Sequence, residues 1–357
     1  MDMDKNGVGA VDLLELTTAG GCGCKLPLDV MGPFMTSLQE LIGATPVSEA
    51  VKADSSQRDD AALYEISPGR LLAVTADFGT PVSSDAKVWG RIAAQNALSD
   101  VYAMGARPLL ALSLLALPRH LGLDVMSDLT AAAVATLTES ATPLVGGHTV
   151  VSEVPMFGLC VVGEVSAGKA LMLGNARPGH VLILTKALGT GIVTAGRRAG
   201  VASPALVRTA EELMSASNRA AADAAVRSGI RAATDVTGFG LIGHLLNMLS
   251  ASGCAAVVNA RAVPVMAGVA DLLDTHGVVP NSGERNMFTV EDRTTWSNVD
   301  VGMRLILSDA QTSGGLLLAA DASAAEMFMA ASARDGIPAS FIGAVTDGPA
   351  GTLEVRG

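Results

Sequence analysis

The stretch from Leu71 to Leu117 constrains the fold more than any other part of the chain. Leu71 to Asp77 reads as a buried strand that ends in a carboxylate. Ser84 or Asp85 then opens a helix as its N-cap, and the helix runs to about Met104 with Gly105 as its stop. Pro108 follows and starts the apolar strand Leu109–Leu117. A second helix fits Leu123 to about Ser140, and Met156 to Val165 reads as a closing strand. Strands alternating with helices predict an α/β (α+β) fold. Aromatic residues make up only 3% of a chain that is 49% hydrophobic, so the core is built from Ala, Val, Leu, Ile and Met.

A length of 357 residues suffices for two domains with sizeable cores. Ser166 to Lys169 marks the expected boundary. The expected organisation is a flexible Gly-rich segment over 1–48, an N-terminal α/β domain over 49–167 and a C-terminal α/β domain over 168–357. Within the first segment, Phe34 to Ile42 suggests a short amphipathic helix. The C-terminal part opens with the strand Val181–Thr185. Lys186 to Gly191 then forms a strand–glycine turn–helix junction, which is not a P-loop because no Gly-Lys-[Ser/Thr] stands at the required spacing. Residues 205–229 show one long helical pattern, residues 281–286 read as a polar loop, and Ser308 to Gly315 leads into the strand Leu316–Ala319.

Chemistry concentrates first at Ala19-Gly20-Gly21-Cys22-Gly23-Cys24-Lys25-Leu26-Pro27. Glycine allows the backbone positive φ and close approach to a ligand. The Lys25 charge beside Cys22 and Cys24 favours thiolate, the reactive form. Such a loop suits an anionic, soft or phosphorylated reactant; the alternative is a disordered arm with incidental cysteines. Zinc is disfavoured, because Cys160 and Cys254 stand alone and form no second ligand pair.

Carboxylates are scattered along the rest of the chain. Asp59 and Asp60 precede a short strand, either around a ligand or as a charged turn. Asn96 and Asp100 share one helix face with Ala93 and Ala103, which leaves space for a ligand or metal unless the face is simply solvated. Gly146-Gly147 offers backbone N–H groups to phosphate oxygens, with His148 beside them as a ligand or a structural residue. Asp235 stands just before a helix, with Thr237 as the expected cap. A helix N-terminus attracts anions, so an aspartate there implies a cation between it and a phosphate. Carboxylates without His or Cys company favour a hard cation such as Mg²⁺. Mg²⁺ with glycine turns implies a nucleoside triphosphate.

The net charge of −11 argues against nucleic acid or a membrane surface as a general partner. Four cysteines in this length make no disulfide framework, and the first residues lack a basic segment followed by an apolar run, so a cytoplasmic location is expected. The longest apolar run, Leu109–Leu117, is far too short to span a bilayer.

Taken in order, Gly21-Cys22-Gly23-Cys24-Lys25, Arg58-Asp59-Asp60-Ala61-Ala62, Thr75-Ala76-Asp77-Phe78, the run Gly90 to Gly105, Gly146-Gly147-His148, Thr234 to Gly240 and Gln311-Thr312-Ser313-Gly314-Gly315 closely resemble the selenophosphate synthetase (selenide, water dikinase) family. The resemblance spans nearly the whole chain. Its aspartate motifs are shared with aminoimidazole ribonucleotide synthetase and thiamine-monophosphate kinase; the Gly-Cys-Gly-Cys-Lys loop is the specific part.

The resemblance implies a two-domain aminoimidazole ribonucleotide synthetase-like fold, a homodimer whose N-terminal sheets pair across the interface, and Mg²⁺. The implied reaction takes ATP, hydrogen selenide and water to selenophosphate, AMP and orthophosphate. Carried over by position, Cys22 is the catalytic cysteine and Lys25 the essential lysine that touches ATP phosphates. Asp60, Asp100 and Asp235 match metal-binding aspartates. Gln57, Arg58, Asp59, Asp77, Asp100, Gly146, Gly147 and His148 match ATP contacts. Two positions depart from the family pattern: Thr18 stands in place of a histidine, and Ala310 in place of a proline. A related small-molecule kinase or synthetase would keep the aspartates without needing Cys22 or Lys25. A non-catalytic selenium or metal carrier would use Cys22 and Cys24 without ATP turnover.

Overall fold

The computed structural model describes residues 12–17, 20–25, 30, 34, 37–38, 41, 48–54 and 59–357. Most of the expected helix over Phe34 to Ile42 lies outside them, as do Thr18, Gln57 and Arg58.

The first sheet contains β1 (Val51–Ala53), β2 (Ala62–Ser67), β3 (Arg70–Gly79), β4 (Arg107–Leu117), β5 (Leu144–Val151) and β6 (Met156–Ser166), in the order β1-β2-β3-β6-β4-β5. All neighbours are antiparallel except β4 and β5. Helix α1 (Ala86–Ala103) and helix α2 (Leu123–Glu139) lie side by side. Asp85 caps α1 through Lys87 N–H and Val88 N–H, and Gly105 turns the chain away at φ +68. Gly90 allows the two helices to touch, since a Cβ there would stand 2.2 Å from the Leu129 carbonyl oxygen. Trp89 of α1 meets Phe157 of β6 edge-on at 6.2 Å.

The second sheet contains β7 (Val181–Leu184), β8 (Ala232–Asp235), β9 (Ala255–Asn259), β10 (Thr294–Ser297), β11 (Leu316–Ala320), β12 (Ser340–Thr346) and β13 (Thr352–Arg356), in the order β10-β13-β9-β12-β7-β11-β8. Helices α3 (Thr190–Arg198), α4 (Pro204–Ser215), α5 (Arg219–Arg227), α6 (Gly240–Ser252), α7 (Val269–Asp274), α8 (Asn281–Val290), α9 (Val301–Ser308) and α10 (Ala322–Asp335) connect its strands.

Four local expectations need correction. The helical pattern over 205–229 breaks at Ala216-Ser217-Asn218 into α4 and α5. Long-range bonds compensate the break: Lys186 Nζ donates to the Ala216 carbonyl (2.7 Å), and Asn218 Nδ2 donates to Ser99 Oγ and the Gly314 carbonyl (both 2.8 Å). Residues 281–286 are not a loop but the start of α8, whose buried Asn286 donates to the Gly238 and Ser308 carbonyls. Thr237 does not cap α6; its N–H donates to Nε2 of buried His244, while the helix begins at Gly240. Gly146-Gly147-His148 form no turn. They lie inside β5, an edge strand paired in parallel with β4.

The two sheets meet through α1. Asn96 Oδ1 accepts from Ser313 N–H (2.7 Å), and Ser99 Oγ donates to Asp235 at the end of β8 (2.6 Å). The opposite face of the first sheet is open. Ala62, Tyr64, Val74, Phe78, Leu112 and Val150 share it by register, with Tyr64 46%, Phe78 50% and Val150 47% exposed.

Candidate active site

Side chains alternate along β3, so Thr75 and Asp77 both point toward α1. Asn96 and Asp100 lie one turn apart on the facing side of that helix. Asn96 Nδ2 donates to Asp77 Oδ2 (2.8 Å), and Thr75 Oγ1 donates to Asp100 Oδ2 (2.6 Å). Lys25 Nζ joins the same Asp77 oxygen at 3.0 Å. On the other side of α1, Asp235 accepts from Ser99, and Thr234 Oγ1 donates to Asp60 Oδ1 (2.8 Å). Strand β3, helix α1 and strand β8 thus bring Asp77, Asp100 and Asp235 into a common electrostatic environment, which Asp60 joins from the segment before β2 and Lys25 from the Gly-rich loop.

These carboxylates feel one another. Asp60 is held well above the usual carboxylate range by burial, then by the charges of Asp235 and Asp100. Asp100 is raised by burial, then by Asp235 and Asp77, with Lys25 opposing. Burial raises Asp235 to about 6 against its bond from Ser99. Each of Asp60, Asp100 and Asp235 has an oxygen engaged by a hydroxyl. Among the described residues, no three His, Cys, Asp or Glu side chains stand close enough to hold a metal ion together. Asp60 Oδ2 is nevertheless buried without a hydrogen-bond partner among those residues.

The glycine-rich loop docks against the end of β3. Gly21 N–H donates to the Thr80 carbonyl (3.0 Å), and residues 22–24 form one 3-10 turn. Gly21 is buried at φ +52, and a Cβ on it would stand 2.3 Å from Thr312 Oγ1 and 2.4 Å from Val82 Cγ1. Only glycine fits there. Cys24 Sγ donates to the Gly21 carbonyl (2.8 Å). The Cys22 backbone lies in the turn, and its side chain is outside the described atoms.

Residues 58–165 match the family described as AIR synthase related protein, N-terminal domain, and residues 177–356 match its C-terminal domain. The selenide, water dikinase of Myxococcus xanthus is 38% identical over 342 residues, covering 95% of this chain and 96% of that protein. The selenide, water dikinase of Porphyromonas gingivalis is 38% identical over 339 residues, covering 94% and 95%. This chain belongs to the selenide, water dikinase family. A thiamine monophosphate kinase structure from Aquifex aeolicus shares the fold, at 16% identity and a TM-score of 0.66, covering 93% of this chain and 98% of that one.

Against the residues that the selenide, water dikinase resemblance singled out, the structure gathers Lys25, Asp60, Asp77, Asp100 and Asp235 about α1. It turns Asp59 elsewhere: Oδ1 accepts from Leu173 N–H (2.6 Å), and burial raises that carboxyl to about 6. It leaves Gly146, Gly147 and His148 apart within one chain. Gly147 pairs with Ser113, Ser113 with Leu159 and Leu159 with Asp77, so it lies three strands from Asp77, roughly 14 Å. His148 falls in register with Phe78, on the open face.

Sequence reasoning passed over several supporting residues. Buried Lys186 donates to the Ala216 and Ser313 carbonyls, and burial lowers it to about 7, with Asp235 opposing. A lysine directly after the apolar run Val181–Leu184 and Thr185 was the available signal. Gln311 Oε1 accepts from Gly189 N–H and Thr190 N–H, and Asp309 Oδ2 from Ile192 N–H, so the start of α3 is already capped by the protein. Thr75, Ser99 and Thr234 hold the aspartates, and no local pattern marks a hydroxyl for that task.

Proposed function

We propose that this chain makes selenophosphate from ATP, hydrogen selenide and water, releasing AMP and orthophosphate. One observation carries the reading: Lys25, at the end of the Gly-Cys-Gly-Cys-Lys loop, is ion-paired to Asp77 inside the aspartate cluster. A cysteine loop is thereby tethered beside a site built for polyanion chemistry.

Cys22 and Lys25 act as the catalytic pair. Asp77 and Asn96 orient the Lys25 ammonium, which then meets a phosphate oxygen of ATP and withdraws charge from the phosphorus under attack. Selenide is a soft nucleophile, and a Cys22 thiolate beside a cation suits its delivery or positioning. The selenium–phosphorus bond forms as the bond to the bridging oxygen breaks; water supplies the oxygen for the second cleavage. The Gly-rich loop shields this chemistry from premature hydrolysis.

Asp60, Asp100 and Asp235, which do not converge on a single point in this structure, would hold one or more Mg²⁺ ions together with nucleotide oxygens, with Asp100 also contacting nucleotide. Their all-oxygen donor set, mutual repulsion and the unpartnered Asp60 Oδ2 fit a hard cation. When bound, that ion neutralises phosphate charge. Gln57, Arg58 and Asp77 complete the proposed ATP contacts; Asp59 joins them by releasing its bond from Leu173 N–H.

The working unit is a homodimer in the cytoplasm. The apolar open face of the first sheet supports a second copy as its cover. On this reading Gly146, Gly147 and His148 serve nucleotide held by the partner chain. Segment 1–48, domain 49–167 and domain 168–357 are the functional divisions. Among the described residues, no helix is long and apolar enough to cross a membrane.

The test is anaerobic incubation with ATP, Mg²⁺ and selenide, followed by phosphorus NMR. Selenophosphate, AMP and orthophosphate in equal amounts are expected. ADP without selenophosphate would replace this reading with that of a small-molecule kinase.

A further inference from the structure

Beside the Gly-rich loop lies a second cavity of about 250 Å³, whose lining does not include Asp77. Gly20 and Gly23 form its loop wall, and Thr312 separates it from the small space at Asp77 and Asn96. Two helices supply the rest. Gly191, Thr194 and Arg198 present one face of α3, and Asn281, Ser282 and Arg285 the first turns of α8.

The two arginines are unusual in what they lack. Nε and Nη2 of Arg198, and Nε of Arg285, are buried without a hydrogen-bond partner among the described residues. Buried donors in a folded protein are otherwise almost always satisfied. Arg198 Nη1 donates to the Thr17 carbonyl, which holds that guanidinium at the cavity edge. Its Nη2 lies 3.1 Å from where a Cβ on Gly20 would stand, so the absent side chain at Gly20 lets the arginine and loop coexist. The N-terminus of α8, to which its N-cap residue Pro280 gives no side-chain cap, adds its first N–H groups and positive dipole end.

We propose that this cavity binds a tetrahedral oxyanion of the phosphate class. Guanidinium groups match such oxygens in geometry as well as charge, and the Ser282 hydroxyl and α8 N–H groups supply further donors. Three acidic groups lie near. Asp12 is close enough to Arg198 for its charge to act on that guanidinium. Glu284 neighbours Arg285 and is exposed. Asp309 lies under Gly191, its Oδ1 2.5 Å from where a Cβ on that glycine would stand. Burial raises the Asp309 carboxyl to about 7, so it opposes an anion weakly and offers a proton near neutrality. Only the identity of the oxyanion rests on the function proposed above: orthophosphate or selenophosphate leaving the aspartate cluster has this site next to it, with Thr312 lining both spaces.

The test is calorimetric titration of inorganic phosphate, and separately of thiophosphate as an air-stable analogue of selenophosphate, in phosphate-free buffer without nucleotide or selenide. One anion per chain is expected. Arg285→Gln should weaken it at least tenfold, Arg285→Lys should retain most of it, and ATP affinity should stay within twofold in both. Tighter thiophosphate would assign the site to the selenium product, and tighter phosphate to orthophosphate; either supports it. No saturable binding to the unaltered chain at millimolar phosphate would overturn the proposal. So would equal binding by Arg285→Gln, or loss of ATP and phosphate together in that variant. Phosphate binding without selenophosphate formation would remove the functional reading and leave this site standing; turnover without phosphate binding would do the reverse.

Discussion

Replacing Gly21 by alanine separates the role of the loop from the stability of the fold. Gly21 is held at φ +52, where an L side chain costs about 1–2 kcal/mol. Its Cβ would also stand 2.3 Å from Thr312 Oγ1 and 2.4 Å from Val82 Cγ1, and forcing such overpacking costs about 1–3 kcal/mol. Reduced freedom of the unfolded chain returns about 0.4–1 kcal/mol. The net penalty is about 2–4 kcal/mol. The loop joins β3 through the bond from Gly21 to Thr80, outside both main sheets, so undocking it relieves the strain without opening either core. The penalty therefore falls on the docking equilibrium, about 30-fold to 1000-fold at 1.4 kcal/mol per decade. Selenophosphate formation by Gly21→Ala should drop by a comparable factor while the thermal midpoint shifts by under about 2 °C, far less than a global loss of this size would give. Limited proteolysis should cut near residue 21 faster. Activity within threefold of the unaltered chain would refute the argument, as would a fall in the midpoint accounting for the whole penalty.

Asp100→Asn and Asp235→Asn should each abolish Mg²⁺-dependent nucleotide binding in calorimetry, and unchanged binding would contradict the metal assignment. Asp309 gives a stability prediction with a definite sign. Its folded carboxyl titrates near 7 because burial dominates, above the unfolded value of 3.8, so between those pH values the folded state binds more protons and stability falls as pH rises. Asp309→Asn keeps an oxygen for Ile192 N–H and places an amide at the unpartnered Oδ1, so its melting point should decline less from pH 5 to pH 8, by an amount worth a few kcal/mol (~1.4 per pKa unit). Equal slopes in the two melting series would rule that out. If the proposed homodimer forms through the open face of the first sheet, Val74→Asp on that face should convert it to monomer in sedimentation while each chain stays folded; a dimer unaffected by the change would place the interface elsewhere.

Much of the site was legible because its signals are local. Asp85 and Gly105 bound α1 by capping chemistry that needs only neighbouring residues, and the 3.6-residue period puts Asn96 and Asp100 on one face wherever that helix lies. The alternation of β3 likewise aims Thr75 and Asp77 together. The Gly-Cys-Gly-Cys-Lys loop declared itself by composition, and Gly21 shows why: a positive φ and a packed contact exclude every other residue.

What stayed hidden depends on partners distant in sequence. Residues 205–229 read as one helix because the bonds that compensate its break come from Lys186, Ser99 and Gly314, up to 119 residues away. The polar run from Asn281 read as a loop because nothing nearby reveals that Asn286 satisfies carbonyls at Gly238 and Ser308. Gly146-Gly147 looked like a turn because parallel pairing with β4 overrides glycine's freedom. Local sequence thus determined the limits of α1, the faces of β3 and the position of the Gly-rich loop, since capping, periodicity and φ preference act over a few residues. Tertiary structure alone decided that Lys25 meets Asp77, that hydroxyls hold the aspartates, and that Arg198 and Arg285 share a cavity, because burial and charge pairing depend on which distant segments are brought together.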